Sequence, residues 1–408
     1  MHTVIVIGGG AAGMFAAYSA AVKNSDNHVI LIEKNEKLGK KIYITGKGRC
    51  NLTNNVPVSE FLDNVISNPK FLYSAISNFS PKNVIGFFEQ NGCPLKTERG
   101  NRVFPVSDKA SDVTKTLQNA LIKHGVKIKL NTKVLSIDTE NGQVVGVQTE
   151  SEYVRCDSVI VCTGRLSYPL TGSTGDGYKF AKESGHKIVE PKSSLCGLDL
   201  CGVDYIKAQG LSLKNVSVSV IADGKVIYKD FGEMLFTHFG VSGPIILSAS
   251  CFINRVLAKE LLLKIDLKPA LNEQVLNDRI IREFENGKNK NLSNVMRALL
   301  PQSLVDIVLS KASLSGEKRC FDVLKKERSD LVYTLKNLIF KIKGIRPIEE
   351  AIVTAGGVSV NEINPKTMES KLVKGLFFAG EVLDVDAFTG GFNMHIAFST
   401  GFLAGENA

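Results

Sequence analysis

Gly8, Gly10 and Gly13 end a β-branched run, Thr3-Val-Ile-Val-Ile, and open a stretch of small residues that includes Ala11 and Ala12. The pattern is G-x-G-x-x-G between a predicted strand and a predicted helix, and each glycine has a physical task. Gly8 permits a tight turn, Gly10 lets the main chain approach a pyrophosphate, and Gly13 lets the helix pack closely on the sheet. The first helical turn, at Ala12, supplies N–H donors and a positive dipole to the phosphates. Glu33, followed by Lys34, lies twenty residues beyond Gly13 at the end of the next predicted strand. A carboxylate there accepts hydrogen bonds from ribose hydroxyls and disfavours a 2′-phosphate. Strand, glycines, helix, strand and acid together favour dinucleotide binding over a structural glycine turn.

The fingerprint serves FAD and NAD alike, and the carboxyl end separates them. Leu376-Phe-Phe-Ala-Gly380-Glu381 is a buried strand ending in glycine and an acid, and Gly390-Gly391 opens a helical segment containing Phe392 and Asn393. In flavoproteins resembling glutathione reductase, such an acid meets the ribitol-phosphate chain and the helix start faces the pyrimidine edge of the flavin, stabilising charge that builds up on reduction. A third element, Asp157-Ser-Val-Ile-Val-Cys-Thr163-Gly164, resembles the middle strand-and-glycine signature of that class. Val134 falls where the class makes a main-chain contact to adenine. FAD is therefore expected to be held from both chain ends.

The elements that must position these residues are legible in part. A 408-residue chain exceeds a single ordinary core. The expected fold is α/β, a Rossmann-like FAD-binding domain of glutathione-reductase type with an inserted β-barrel-like plus helical domain. Residues 1–190 and 346–408 form the FAD lobe, 191–253 and 326–345 a β-rich insert, and 254–325 a helical subdomain where Leu and Ile recur at three and four residues. Asn141-Gly142 and Asp223-Gly224 each separate two β-type runs and predict type I′ hairpins.

Composition narrows the class. The start, Met1-His2-Thr3, has no basic region or cleavage site of a signal peptide. The longest apolar stretch, Pro244 to Ile253, is far shorter than the roughly 20 residues that cross a bilayer. Eight cysteines lack zinc-site spacing or disulfide-scaffold density, which predicts reduced thiols in a cytoplasm. The net charge of +9 raises a nucleic-acid partner, but only 12 of the 50 basic residues are Arg and the Lys residues are scattered among acids. A solvated surface is favoured. Gly39 to Lys47 is no Walker phosphate loop, because Gly48 stands where Ser or Thr is required.

Four blocks identify a family. Gly39-Lys-Lys-Ile-Tyr-Ile-Thr-Gly-Lys-Gly-Arg-Cys-Asn-Leu-Thr-Asn54, Thr171-Gly-Ser-Thr-Gly-Asp-Gly177, Leu235-Phe-Thr-His-Phe-Gly-Val-Ser-Gly-Pro244 and Thr389-Gly-Gly-Phe-Asn393 together resemble the bacterial BaiN/YhiN flavoproteins, the aminoacetone oxidase family of FAD-binding enzymes. The resemblance spans essentially the whole chain. It implies an NAD(P)H- and FAD-dependent oxidoreductase, with one branch linked to unsaturated 3-oxo bile acids. It also implies that Gly48, Arg49, Cys50 and Asn51 line the FAD, with Arg49 or Lys40 balancing phosphate charge.

Three residues are candidates for catalysis. Cys50 beside Lys47 and Arg49 suits a flavin-linked thiol, but with no resolving cysteine near in sequence a structural or FAD-contacting thiol is favoured. His238 lies in the third block, and His395 stands where the family more often carries Gln. A packed or solvent-exposed histidine is the favoured reading of each. The leading expectation is hydride transfer through flavin N5 on a small molecule, with NADH or NADPH as a transient reductant, since no second nucleotide fingerprint occurs. The alternatives are an RNA-modifying or RNA-binding flavoprotein, and a flavin-binding regulator without turnover.

Overall fold

The computed structural model describes residues 2–408. The chain divides into two compact units, Met1–Lys192 with Ile348–Ala408, and Ser193–Pro347.

The first unit is built on a five-stranded, fully parallel sheet. Its strands are β1 (Thr3–Ile7), β2 (His28–Ile32), β3 (Lys127–Lys129), β4 (Ser158–Val161) and β5 (Leu376–Phe378), in the spatial order β5-β4-β1-β2-β3. Val4, Ile5, Val6 and Ile7 are all buried, as the central strand of a sheet covered on both faces requires. Helix α1 (Ala11–Lys23) follows β1 directly, the short helix α2 (Lys40–Ile44) follows β2, and α3 (Phe392–Asn407) ends the chain.

Small residues let α1 and α3 meet at main-chain distance. A Cβ at Gly401 would fall on the carbonyl of Ala12, one at Gly405 on the carbonyl of Ala16, and one at Gly380 would lie 2.6 Å from the Ala12 Cβ. Aromatic rings seal the contact, with Phe15 and Phe398 centred 4.8 Å apart and Phe79 stacked on Phe402 at 4.2 Å. Each fully buried Phe contributes roughly 1.5–3 kcal/mol. The two chain ends thus share one core.

The second unit is a closed six-stranded barrel made by Leu198–Leu200, Gly240–Ser242, Lys225–Phe236, Ser212–Ala222, Leu261–Asp266 and Leu338–Ile345 in that spatial order, with helices beside it. Asp223 and Gly224 both take positive φ, the type I′ requirement. Leu261–Asp266 lies inside the range expected to be helical, and helix Lys325–Lys336 lies, from its second residue on, in the range expected to be β-rich. The strand was hidden by leucines on both sides. What fixes it is non-local: it pairs with Ser212–Ala222 and Leu338–Ile345, which bury Leu263 and Ile265 inside the barrel. The ammonium of Lys336, 2.6 Å from Asp266, then ties the helix to that strand. Among the described residues no helix is long and apolar enough to cross a membrane.

Candidate functional site

The site is assembled on the first unit from segments far apart in sequence. Beyond the end of β1, Gly10 stands at the cap of α1 with no side chain capping the helix N–H groups, and the position where a Cβ of Gly10 would stand is open. Uncapped donors beside open space suit an anion. Glu33 is buried at the end of β2. One carboxylate oxygen accepts from the Gly9 N–H at 2.7 Å, and the other accepts from the main chain and side chain of Asn35 at 2.8 and 2.6 Å. The acid is thereby locked beside the glycine turn.

The block Thr171 to Gly177 closes on this corner. The Lys34 ammonium lies 2.5 Å from Thr174 Oγ1 and 2.6 Å from Asp176 Oδ2, and Asn35 donates to the Thr171 carbonyl at 3.1 Å. Gly164, after β4, approaches the same block, since a Cβ on it would lie 2.8 Å from Ser173 Oγ. Val134 is buried at the start of the strand Val134–Glu140, which pairs antiparallel with Gln143–Thr149.

The block Gly39 to Asn54 joins the start of the chain to its end. A Cβ on Gly391 would strike the Thr53 carbonyl and lie 2.9 Å from Asn51 Oδ1, while Asn54 donates to the Gly390 carbonyl at 3.1 Å. Gly391, at a φ of 101°, starts α3 with no side-chain cap. Phe392 is buried behind it against Phe61. Asn393 turns its amide to the loop before the helix, donating to Ala387 and Phe388 carbonyls at 2.7 and 3.2 Å and accepting from the Ala387 N–H at 3.0 Å.

Glu381 meets a lysine that the sequence reading passed over. Lys41 Nζ lies 2.6 Å from Glu381 Oε2 and 2.7 Å from the buried Ser167 Oγ. The neighbouring Lys40 points instead to Glu36 at 3.2 Å and Asn35 at 3.4 Å. Arg49 is directed to Glu98 and Asp108 and lies over the Phe104 ring at 4.1 Å, holding the Glu98 carboxyl below its usual range. Gly48 sits in a left-handed turn beside it.

The catalytic candidates fall in different settings. Cys50 is fully buried, and burial pushes its thiol up to about 12, so it is protonated at neutral pH. His395 is fully buried on α3, with Nδ1 2.9 Å from Thr53 Oγ1 and Nε2 without a partner; burial pushes the imidazole down to about 3 and keeps it neutral. His238 is exposed at a hairpin tip of the second unit, 5.1 Å from the Phe239 ring. No group of residues suited to hold a metal ion occurs among the described residues.

Asn51 Oδ1 and Thr163 Oγ1 are buried without a hydrogen-bond partner in the protein. Unsatisfied buried acceptors and hydroxyls are costly and mark a missing partner. A Cβ on Gly391, at the uncapped start of α3, would lie 2.9 Å from Asn51 Oδ1, and one on Gly8, in the glycine turn that leads to Gly10, would lie 3.2 Å from the Thr163 Cα, so the residues present fit an extended dinucleotide. A parallel Rossmann sheet with this furniture defines the class as FAD-binding flavoproteins.

Comparison with known proteins narrows the class further. The HI0933-like protein Rossmann domain matches residues 2–407, and the chain belongs to this family of FAD-dependent oxidoreductases. It is 29% identical to the 3-dehydro-bile acid delta(4,6)-reductase of Clostridium scindens, over 100% of this chain and 99% of that one. It is 31% identical to the ribosomal RNA dihydrouridine synthase of Haemophilus influenzae, over 98% and 96%. A solved structure, 3-ketosteroid delta1-dehydrogenase from Sterolibacterium denitrificans with 1,4-androstadiene-3,17-dione, shares the fold with a TM-score of 0.50 at 14% identity, covering 99% of each chain.

Proposed function

We propose that this chain reduces a carbon–carbon double bond conjugated to a ring carbonyl in a small molecule, with NADH or NADPH as transient reductant. The observation that carries the reading is the end-to-end similarity to a reductase named for such a bond, in a 3-dehydro-bile acid. The dihydrouridine named in the other relative is also the product of reducing a double bond conjugated to a ring carbonyl, so one reaction class covers both names. FAD, when bound, would supply the two-electron reducing chemistry that saturating such a double bond requires.

The residues of the first unit bind and orient. Gly8 and Gly13 shape the turn and the helix packing, Gly10 and the first turn at Ala12 would hold the pyrophosphate, and Glu33 would hold the adenosine ribose. Asn51 and Thr163 would offer their unpaired polar atoms to the cofactor, and the uncapped N–H groups at the start of α3 would stabilise negative charge on it. The absence of a second G-x-G-x-x-G supports brief docking of the nicotinamide rather than a resident second nucleotide.

A second reading, uridine within RNA as the conjugated substrate, comes from the name of the Haemophilus influenzae relative and is the less favoured of the two.

Anaerobic mixing separates the readings. The flavin is bleached with NADH or NADPH, then offered a 3-oxo-4-ene steroid or a uridine-containing ribosomal RNA fragment while its absorbance is followed. Reoxidation by the enone, with the saturated ketone as product, is expected. Reoxidation by RNA alone would move the assignment to uridine, and reoxidation by neither would end the proposal.

A further inference from the structure

Arg165, two residues beyond Thr163, is the bulkiest fully buried side chain of the described residues, at 1% exposure. Its guanidinium donates to three main-chain carbonyls in one loop, those of Glu381, Leu383 (2.5 Å) and Val385, and among the described residues it bonds no carboxylate. A charge placed there is costly to desolvate, and an apolar side chain would fill the volume without that cost. What a guanidinium adds is a rigid planar fork that reaches several carbonyls at once. Two residues on, buried Ser167 joins Lys41 around the Glu381 carboxylate. Residues 165–167 and Lys41 therefore fix both the main chain and the side chain of Glu381.

We infer that Arg165 is a positioning residue for the cofactor, setting the course of residues 381–385 so that this loop meets the bound FAD. It acts through the loop, joining the carbonyls of Glu381 in the 3-10 turn Gly380–Val382, of Leu383, which also bridges to Val358, and of Val385. The inference rests on FAD binding alone and is independent of the substrate.

Two variants test it. Arg165→Lys keeps the charge but cannot span three carbonyls, and Arg165→Gln keeps part of the planar donor set without the charge. Both are prepared as apo-protein and examined for folding by circular dichroism, for hydrogen exchange of residues 381–386, for FAD dissociation constant, and for the visible spectrum of the bound flavin. The expected result is a folded apo-protein with faster exchange confined to 381–386, FAD binding weakened at least tenfold, and an altered flavin band shape. A purely structural role predicts lower apo-protein stability with wild-type FAD affinity and spectrum, and that result overturns the inference. Failure of both variants to fold also overturns it, because Arg165 would then serve the core as a whole. Loss of substrate turnover with these flavin properties intact would count against the proposed function instead.

Discussion

The ammonium of Lys41 lies 2.6 Å from the carboxylate of Glu381 across 340 residues of sequence, and both side chains are only about one-fifth exposed. The pair bolts the start of α2 to the strand end that follows β5. Removing either partner leaves a largely buried charge, so Lys41→Met and Glu381→Gln should each cost about 2 kcal/mol of stability. The double variant should lose less than the sum, as expected for groups in direct contact. Urea unfolding of the four proteins checks this, and strict additivity would show that the two groups do not interact in solution.

His395 should make the protein acid-sensitive. Its folded value of about 3 lies below its ordinary 6.5, so the unfolded chain takes up a proton first as the pH falls. The stability it contributes is complete above about pH 6.5 and is lost towards pH 3, at about 1.4 kcal/mol per unit. Between about pH 7.5 and about pH 5 the wild type should lose roughly 2 kcal/mol more than His395→Gln, which keeps an amide near Thr53. An equal loss in both proteins would mean that His395 is not held neutral. His186 is also depressed by burial, but it is common to both and cancels.

Thiol reactivity separates a structural Cys50 from a redox centre. All eight cysteines are free, Cys201 is exposed and the other seven are buried. Burial holds the Cys50 thiol near 12, far from the thiolate that reacts. A disulfide reagent at about pH 8 should therefore modify Cys201 rapidly and Cys50 only on unfolding. Rapid labelling mapped to Cys50, or loss of flavin reduction in Cys50→Ala, would restore the redox reading.

The glycine turn, Glu33, the Gly380-Glu381 strand end and the Gly-Gly opening of α3 were legible because their signals are local. Turn conformation and a strand or helix boundary lie within a few residues of each. The grip on Glu381 was not. Lys40 and Lys41 are adjacent and chemically alike, and only the course of α2 sends one to Glu36 and the other to Glu381. Arg165 gave no signal because its partners are main-chain carbonyls, which carry no residue type. Arg49 and Asn393 show the converse: their blocks were recognisable, but the direction of each side chain depends on distant neighbours, Asp108 for one and the 387–388 main chain for the other. The barrel strand Leu261–Asp266 fell to the same limit, since pairing with strands about 40 and 75 residues away outweighs its leucine-rich surroundings.

The union of the two chain ends is testable at one methyl group. Gly401 on α3 touches the main chain of Ala12 on α1, and a Cβ there meets a carbonyl oxygen rather than a flexible side chain. Gly401→Ala must push the helices apart, at a cost of about 1–3 kcal/mol for overpacking. Since Ala12 lies in the first turn of α1, the shift moves the N–H groups that face the pyrophosphate, so FAD affinity should fall together with the melting temperature. Gly86, in helix Pro81–Gln90, is the matched control: its nearest neighbour to an added Cβ is the end of Gln90 at 4.0 Å. Gly86→Ala should stabilise by roughly 0.5–1 kcal/mol through helix propensity, with FAD binding unchanged. Thermal melts with and without added FAD report both quantities. A Gly401→Ala protein that binds FAD like the wild type would show that α1 and α3 are not rigidly coupled through this contact.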